Sequence, residues 1–215
     1  MPERKNPSET PFGKEWVMFG QHPGLKTEDL LAFEKTRPHD VQVLPGISIG
    51  ASLFSDFVSG NNYSANTPDD LVEHGQMPET LVAINKQAVD LFLSNKPVVV
   101  RSSATDERGG SGIYDSTFFV PTGNQAEDLA RLTEAEREVY RSYFREEGRL
   151  FRDGQFSQEG MGLLIHPVIG NQYGNHFMPA FSGVFTMING EMVMKAVPGL
   201  GTKAVALNLD NIMRG

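Results

Sequence analysis

The 215-residue sequence contains no cysteine. This absence excludes disulfide bonds, thiolate catalysis and metal or iron–sulfur sites with cysteine ligands. A basic excess is also missing, because 19 lysine and arginine residues face 27 aspartate and glutamate residues, for a net charge of −8. Domains that bind nucleic acid normally carry a basic face, so the composition argues against that class of protein.

Long apolar runs and an export signal are missing as well. No window approaches the roughly 18 consecutive apolar residues of a membrane-spanning helix, and the amino terminus has no apolar core of the kind found in signal peptides. We therefore expect no membrane association and a cytoplasmic protein. With 39% hydrophobic and 21% charged residues, the composition is that of a globular protein, and 22 glycines and 13 prolines indicate prominent loops.

The character of the sequence changes along the chain. A polar start leads into alternating helical and strand patterns, and residues 125–156 then carry dense charge of both signs with an aromatic stripe, typical of amphipathic helices. We predict an α+β (α/β) fold with a helical insertion and antiparallel strands. The predicted divisions are a flexible tail at 1–15, an α/β lobe with a phosphate site at 16–122, a helical subdomain at 123–158, and a β-rich segment that returns to complete the lobe at 159–215.

Hydrophobic periodicity and turn residues place the individual elements. Val98–Val100 is a continuous β-branched run, typical of a strand buried on both faces. Asn189-Gly190 is a strong hairpin signal. The patterns predict helices over 27–35, 52–58 and 78–94, a loop over 60–76, and strands over 162–169, 182–188 and 191–197.

The run Val98–Thr105 carries an arginine and three hydroxyl side chains, which we place at the carboxyl end of a buried strand before a glycine-rich loop. Ligands of α/β sheets bind at strand ends, the planar arginine fork matches phosphate oxygens, and glycines let backbone N–H groups approach an anion. These features indicate a polyphosphate site, with Arg101 and Ser102 as candidate residues. The alternative is that Arg101 pairs with a carboxylate and that the glycines only form a turn. Walker and Rossmann motifs do not occur in the sequence, so neither of these two types of nucleotide site is indicated.

Other segments carry weaker signals. Lys26 follows a glycine at a predicted helix start and could reach a phosphate, although most such lysines are solvated. The uncharged stretch 163–171 could seat a flat heterocycle, but a plain core strand explains it as well. His166 lies within that stretch and His176 follows it, without metal-ligand spacing, so we predict no metal site from them. The loop at 198–203 is as consistent with a simple turn as with an anion contact.

Taken in order, these segments resemble the amino-terminal, nucleotide-binding region of phosphoenolpyruvate synthases and pyruvate phosphate dikinases. The resemblance covers most of residues 20–207. Its specific pair of motifs is Val-Arg-Ser-Ser-Ala-Thr at 100–105 and Ser-Gly-Val-Phe-Thr at 182–186. Further matches are Gly24-Leu25-Lys26, the segments 43–47 and 165–171, and Gly-Leu-Gly at 199–201. The segment 112–119 is more similar to uncharacterised dikinase-like members of the family.

This resemblance implies an ATP-grasp-like fold in which ATP lies between two lobes. It also implies a role for each matched position, with Arg101 as the catalytic candidate. The positions that would lie at the ATP phosphates are Lys26, Arg101 and Ser102, with Ser182 and Gly183 nearby. A mobile lid would be formed by Gly109, Gly110 and Gly112. Adenine would face the backbone of His166, Val168 and Ile169. In such transfers the protein mainly positions and neutralises charge.

The sequence departs from the family pattern in its last residues. Thr202 stands where the family usually has an acid. Up to Gly215 there is no counterpart of the family's later acidic residues, its phosphohistidine motif or its barrel for pyruvate and phosphoenolpyruvate. We therefore expect Mg²⁺ ligands outside this chain, little turnover by the chain alone, and a fragment, a separate subunit or a degenerate relative.

Two functions follow from the resemblance. The first is the ATP-binding amino-terminal portion of a phosphotransferase that passes phosphate from ATP to a histidine on a separate domain. Its partners would be ATP, Mg²⁺, and the phosphohistidine and phosphoenolpyruvate- or pyruvate-binding domains. The alternative is a non-catalytic nucleotide sensor or interaction module with the same fold, and a lobe that binds another small anion is a third hypothesis. An uncovered sheet edge would favour self-association into a homo-oligomer.

Overall fold

A computed structural model describes residues 16–39, 41–44, 46–92, 96–106, 112–173, 176–188 and 191–199. The chain divides into two compact units between Pro167 and Val168. Within the described ranges, every helix is too short or too polar to span a lipid bilayer.

The first unit is built on a five-stranded mixed sheet with the strand order β1-β2-β5-β3-β4. β1 and β2 pair in parallel, and every other neighbouring pair is antiparallel. The central strands β3 and β5 are almost entirely buried, as the β-branched run at 98–100 predicts. The strands are β1 (Val17–Phe19), β2 (Ile47–Ile49), β3 (Val98–Ala104), β4 (Ser116–Phe119) and β5 (Met161–Pro167).

β3 is longer than the sequence suggests, which changes the position of Arg101. The antiparallel pairing with β5 continues as far as Ala104, opposite Met161. Arg101 is thus the fourth of seven strand residues, and its predicted place at the carboxyl end of the strand is wrong. The backbone hydrogen bonds to β5 extend the strand through Ser102 and Ser103, so the loop toward the glycines begins only at Thr105.

Helices surround the sheet. α1 and α5 pack against β3, and α2 packs against β5. The helices are α1 (Leu25–Thr36), α2 (Ala51–Gly60), α3 (Asp69–Val72), α4 (Glu79–Val89), α5 (Gln125–Ser142) and α6 (Glu146–Phe151).

Most helices lie where the periodicity predicts them, with corrections in two places. α3 interrupts the predicted loop at 60–76. α4 ends at Val89 and not at Ser94, because the N–H groups of Leu91 and Phe92 turn back to the carbonyls of Ala88 and Val89, which closes the helix.

α5 and α6 form the predicted helical stretch as two helices. The Asn124 side chain caps α5 by accepting hydrogen bonds from the N–H groups of Ala126 and Glu127 at 3.1 and 3.2 Å. The apolar face of α5 joins the sheet in one core, in which the Phe54 ring of α2 lies 5.0 Å from each of the rings of Tyr140 and Tyr143. Aromatic packing of this kind ties the helices to the sheet.

Among the described residues of the second unit, the strands form two antiparallel pairs. β6 (Asn171–Tyr173) pairs with β7 (His176–Met178), and β8 (Phe181–Ile188) pairs with β9 (Glu191–Pro198). Ile188 lies opposite Glu191, which is the register that a two-residue loop requires. Asn189 and Gly190 themselves lie outside the described residues. The division into four segments that we infer from the sequence stays a prediction.

Candidate nucleotide-binding site

The start of α1 lies directly on β3. Gly24 caps the helix with a φ of 81°, and a Cβ at this position would lie 1.6 Å from the carbonyl oxygen of Ser103. Only glycine permits this close approach. The Ser103 hydroxyl in turn accepts a hydrogen bond from the N–H of Thr27 at 3.1 Å and lies 3.2 Å from the Thr27 hydroxyl. These contacts therefore fix the position of the first turn of α1 relative to β3.

This docking brings Lys26 to the hydroxyl row of β3. The Lys26 ammonium group donates a hydrogen bond to the Ser102 hydroxyl at 2.9 Å, although the two residues are 76 positions apart in sequence. Lys26 is half-buried and Ser102 is fully buried. A positive charge is thus held in a defined place by the strand that also carries Arg101.

Arg101 and His166 lie on neighbouring strands. Arg101 is opposite Leu164 of β5, and His166 is opposite Val99 of β3. Burial lowers the pKa of His166 to about 4, and the positive charge of Arg101 adds to this effect. His166 is therefore neutral at pH 7, beside a permanent cation.

The hydrogen bonds of His166 define its tautomer. Nδ1 lies 3.1 Å from the carbonyl oxygen of Pro167, and because a carbonyl only accepts, Nδ1 carries the proton. Nε2 is buried and has no hydrogen-bond partner among the described residues. His166 thus offers a buried acceptor nitrogen on the strand next to that of Arg101.

A cavity of about 300 Å³ lies beside the start of α1, at the point where the chain leaves β3. It is lined in part by His22, Glu28, Thr105 and Glu159, and the His22 and Glu159 side chains approach to 3.6 Å. Two carboxylates at its wall repel a bare phosphate group. The cavity therefore differs in charge from the Lys26 and Arg101 region.

The first unit contains four of the site residues that the sequence singles out, namely Lys26, Arg101, Ser102 and His166. The structure brings them together as two pairs, Lys26 with Ser102 and Arg101 with His166. Gly112 is described and exposed, with a φ of 88°. Gly109 and Gly110 lie outside the described residues. The second unit contains Val168, Ile169, Ser182 and Gly183; within it, the Ser182 hydroxyl donates to the carbonyl oxygen of Gly199 at 2.6 Å.

Sequence reasoning missed the part that Thr27 plays. Its backbone and side chain both contact Ser103, and its hydroxyl also accepts from Ser48 of β2 at 3.4 Å. The signal was present in the consecutive hydroxyl residues after Arg101, because buried hydroxyl groups require partners. Nothing local in the sequence identifies which residues those partners are.

Comparison with protein families gives a match over most of the chain. The family model described as "Pyruvate phosphate dikinase, AMP/ATP-binding domain" matches residues 24–214. Comparison with curated proteins gives no match. The family match extends over both structural units and includes Lys26, Arg101 and the β8–β9 hairpin. It confirms the resemblance found in the sequence, the α+β nucleotide-binding fold and ATP as the ligand. The chain belongs to the pyruvate phosphate dikinase AMP/ATP-binding domain family.

Proposed function

We propose that this chain is the ATP-binding amino-terminal portion of a phosphoenolpyruvate synthase- or pyruvate phosphate dikinase-like phosphotransferase with an ATP-grasp-like arrangement. In the intact system it would pass phosphate from ATP to a histidine on a separate domain. The observation that carries the proposal is the meeting of Lys26 with the β3 strand that bears Arg101, fixed by the 2.9 Å bond between Lys26 and Ser102. The match to an AMP/ATP-binding family supports ATP as the ligand.

The two cations suit a triphosphate in different ways. The Arg101 guanidinium offers a planar set of donors that can bind two phosphate oxygens at once, and the Lys26 ammonium acts as a compact point charge. Because the hydrogen bond to Ser102 already holds the Lys26 ammonium group, little reorganisation of this group is needed when charge moves toward the transferred phosphate. The glycines at 109, 110 and 112 would add backbone N–H donors from the loop that follows.

The adenine is assigned to the segment that leaves β5. His166, Val168 and Ile169 would present their backbone groups to the base, and Ser182 and Gly183 would lie near the phosphates. The neutral state of His166 supports this placement, because an uncharged imidazole does not add a further positive charge beside a heterocycle. These assignments follow the family resemblance, residue by residue.

Phosphoryl transfer from ATP usually employs Mg²⁺ to offset the charge of the phosphates. In the part of the chain that the structure describes, no three His, Asp or Glu side chains come together in a way that could hold a metal ion. We propose that its carboxylate ligands come from elsewhere, and no step here depends on the ion.

Calorimetric titration of the chain with ATP, with and without Mg²⁺, tests the site. Arg101→Ala should weaken binding by about 1.5–3 kcal/mol, the contribution of a hydrogen bond to a charged group. Arg131→Ala is the matched control, because Arg131 is an exposed arginine of α5 that pairs with Glu127. Equal affinity of the parent and Arg101→Ala proteins would contradict the assignment of Arg101.

The alternative is a non-catalytic nucleotide sensor that binds ATP without transferring phosphate. Thr202 favours it, because the family usually has an acid at this position. The two functions differ in one product: the enzyme forms acid-labile phosphohistidine on a supplied phosphohistidine domain, and the sensor does not. Incubation with γ- or β-labelled ATP and that domain distinguishes them.

A further inference from the structure

β4 lies at one edge of the five-stranded sheet, and among the described strands only β3 pairs with it. The N–H of Ser102 donates to the carbonyl oxygen of Asp115 at 3.4 Å, so these two residues form a hydrogen-bonded pair directly before β4. In an antiparallel ladder, residues whose backbone groups face the partner strand alternate with residues whose groups face away. The N–H and C=O groups of Ser116 and Phe118 therefore point away from the sheet.

β1, the strand at the other edge, has fewer outward backbone groups. The N–H of Val17 donates to the carbonyl oxygen of Gly46, and the N–H of Gly50 donates to the carbonyl oxygen of Phe19. Both residues of β1 therefore face β2, and within this strand only Met18 directs its backbone groups outward. Of the two edges of the described sheet, β4 is thus the better template for another strand.

An open groove of about 630 Å³ lies between β4 and α5. Phe118 lines it and is 59% exposed, and Val120, directly after β4, is 44% exposed. The opposite wall is formed in part by Ala130 and Ala135 of α5. Large apolar side chains beside outward backbone groups favour the addition of another strand at this edge.

Two of the charged side chains that line the groove mark its ends. Arg131 lies at the carboxyl end of β4, where its guanidinium donates to the carbonyl oxygen of Val120 at 3.2 Å. Glu138 lies at the amino end of β4, because it shares the guanidinium of Arg145 with Asp115. A second copy in antiparallel orientation reverses this order, so the basic end of one groove meets the acidic end of the other. The groove is therefore complementary in charge to a copy of itself.

We propose that two copies of this chain form a dimer by antiparallel pairing of their β4 strands about a two-fold axis at Thr117. In this register Ser116 lies opposite Phe118 of the partner subunit, and the two residues exchange their backbone hydrogen bonds. The symmetry repeats this pair on the other side of the axis, so every outward backbone group of β4 gains a partner. The two sheets then form one continuous sheet, with the Phe118 side chains of both copies on the same face.

The positions of the side chains favour this register over its neighbour. An axis at Phe118 would pair Ser116 with Val120 of the partner subunit, whose carbonyl group already binds Arg131. The axis at Thr117 uses residues of β4 alone. The dimer does not depend on the proposed ATP-binding function.

Sedimentation equilibrium of the full chain tests the dimer. The mean mass should rise with concentration from that of one chain toward that of two. Phe118→Lys should raise the dissociation constant about tenfold or more, because two cross-strand contacts are lost and two like charges lie on one face of the paired strands. Leu71→Lys is the matched control, because Leu71 is a comparably exposed apolar residue of α3 outside the groove, and should leave the dissociation constant unchanged.

A double variant tests the register. In Phe118→Lys/Ser116→Glu each introduced lysine faces an introduced glutamate of the partner subunit, so the dissociation constant should return toward that of the parent. Both side chains are exposed, so neither change disturbs the core. Thermal unfolding of each variant confirms that it is folded.

The absence of cysteine from the sequence allows a direct test by cross-linking. On the axis, Thr117 and its symmetry mate form a non-hydrogen-bonded pair, in which the Cα atoms are about 4.5 Å apart, a distance that a disulfide bond spans. Thr117→Cys should therefore form a covalent dimer on mild oxidation, measured by non-reducing electrophoresis. Leu71→Cys is the control, and should stay uncrosslinked at the same concentration.

The outcomes separate this interface from others. A chain that remains a monomer at every concentration overturns the dimer and leaves β4 to a strand of another protein. The pairing is also overturned by a dimer that Phe118→Lys does not weaken, that the double variant fails to restore, or in which Thr117→Cys cross-links no faster than Leu71→Cys. It is supported by a dimer that Phe118→Lys weakens, that the double variant restores and that Thr117→Cys links covalently.

Discussion

Replacing Glu136 with glutamine should stabilise the protein at neutral and alkaline pH. Glu136 is fully buried on α5, where it accepts a hydrogen bond of 2.6 Å from the Asn85 amide of α4. Its other carboxylate oxygen, the Asn85 carbonyl oxygen and the Tyr140 hydroxyl are buried and have no hydrogen-bond partner among the described residues. A deprotonated carboxylate brings only acceptors to this group, whereas glutamine brings a donor at every pH.

The magnitude follows from the pKa of the carboxyl group. Burial raises the pKa of Glu136 from 4.5 to about 8, and the hydrogen bond from Asn85 opposes this only in part. The folded state thus holds a proton that the unfolded chain releases, so stability falls as pH rises from 4.5 to about 8. Each pKa unit corresponds to about 1.4 kcal/mol, which gives a penalty of roughly 3 kcal/mol at pH 7.

Urea unfolding of the parent and Glu136→Gln proteins between pH 5 and 8 measures this penalty. The difference in unfolding free energy should be small near pH 5 and grow by about 1.4 kcal/mol per pH unit in favour of the variant. Glu134→Gln serves as the control, because Glu134 is an exposed glutamate on the same helix that pairs with Arg137. If the Glu136→Gln difference does not change with pH, or the variant is the less stable protein at pH 8, the reasoning is refuted.

Two smaller predictions concern the candidate site. Gly24→Ala should lower the free energy of unfolding by roughly 3 kcal/mol or more, because it combines a positive φ with a clash against the Ser103 carbonyl. Gly60→Ala is the control, because a Cβ there meets nothing within 4 Å and should leave the free energy of unfolding unchanged. Chemical unfolding of both variants measures the difference. NMR titration should show that His166 remains neutral down to about pH 5, since its pKa is lowered to about 4. The contribution of neutral His166 to the free energy of unfolding is complete above pH 6.5 and is lost as the pH falls toward 4. Arg101→Gln should raise the pKa of His166, and an unchanged pKa would exclude the electrostatic coupling between the two residues.

The long elements could be predicted because their signals are local. The β-branched run of β3, the helical spacing in α4 and α5, and the Asn-Gly step before β9 each reflect neighbours within a few residues. β1, β6 and β7 have three residues each, and β4 has four. Such short segments show no period of their own and become strands through hydrogen bonds to partners.

The burial of two charged residues could not be predicted from local sequence patterns. Arg152 and Glu136 belong to segments dense in charge, where the usual expectation is a solvated side chain. Both are buried because aromatic and polar groups from elsewhere in the chain surround them. The spacing of residues in the sequence does not show which groups surround these two side chains in the fold.

The sequence by itself determined the class of fold, the family and ATP as the ligand, because the motifs that carry them are recognisable in consecutive positions. The roles of the individual site residues stay predictions. Only the tertiary structure decided that Arg101 lies in the middle of β3, that Lys26 meets Ser102, and that Arg152 joins Asp106 to Tyr114. The physical reason is that propensity and periodicity act between neighbours in the chain. Burial, electrostatics and hydrogen bonding act between neighbours in space, which the fold alone defines.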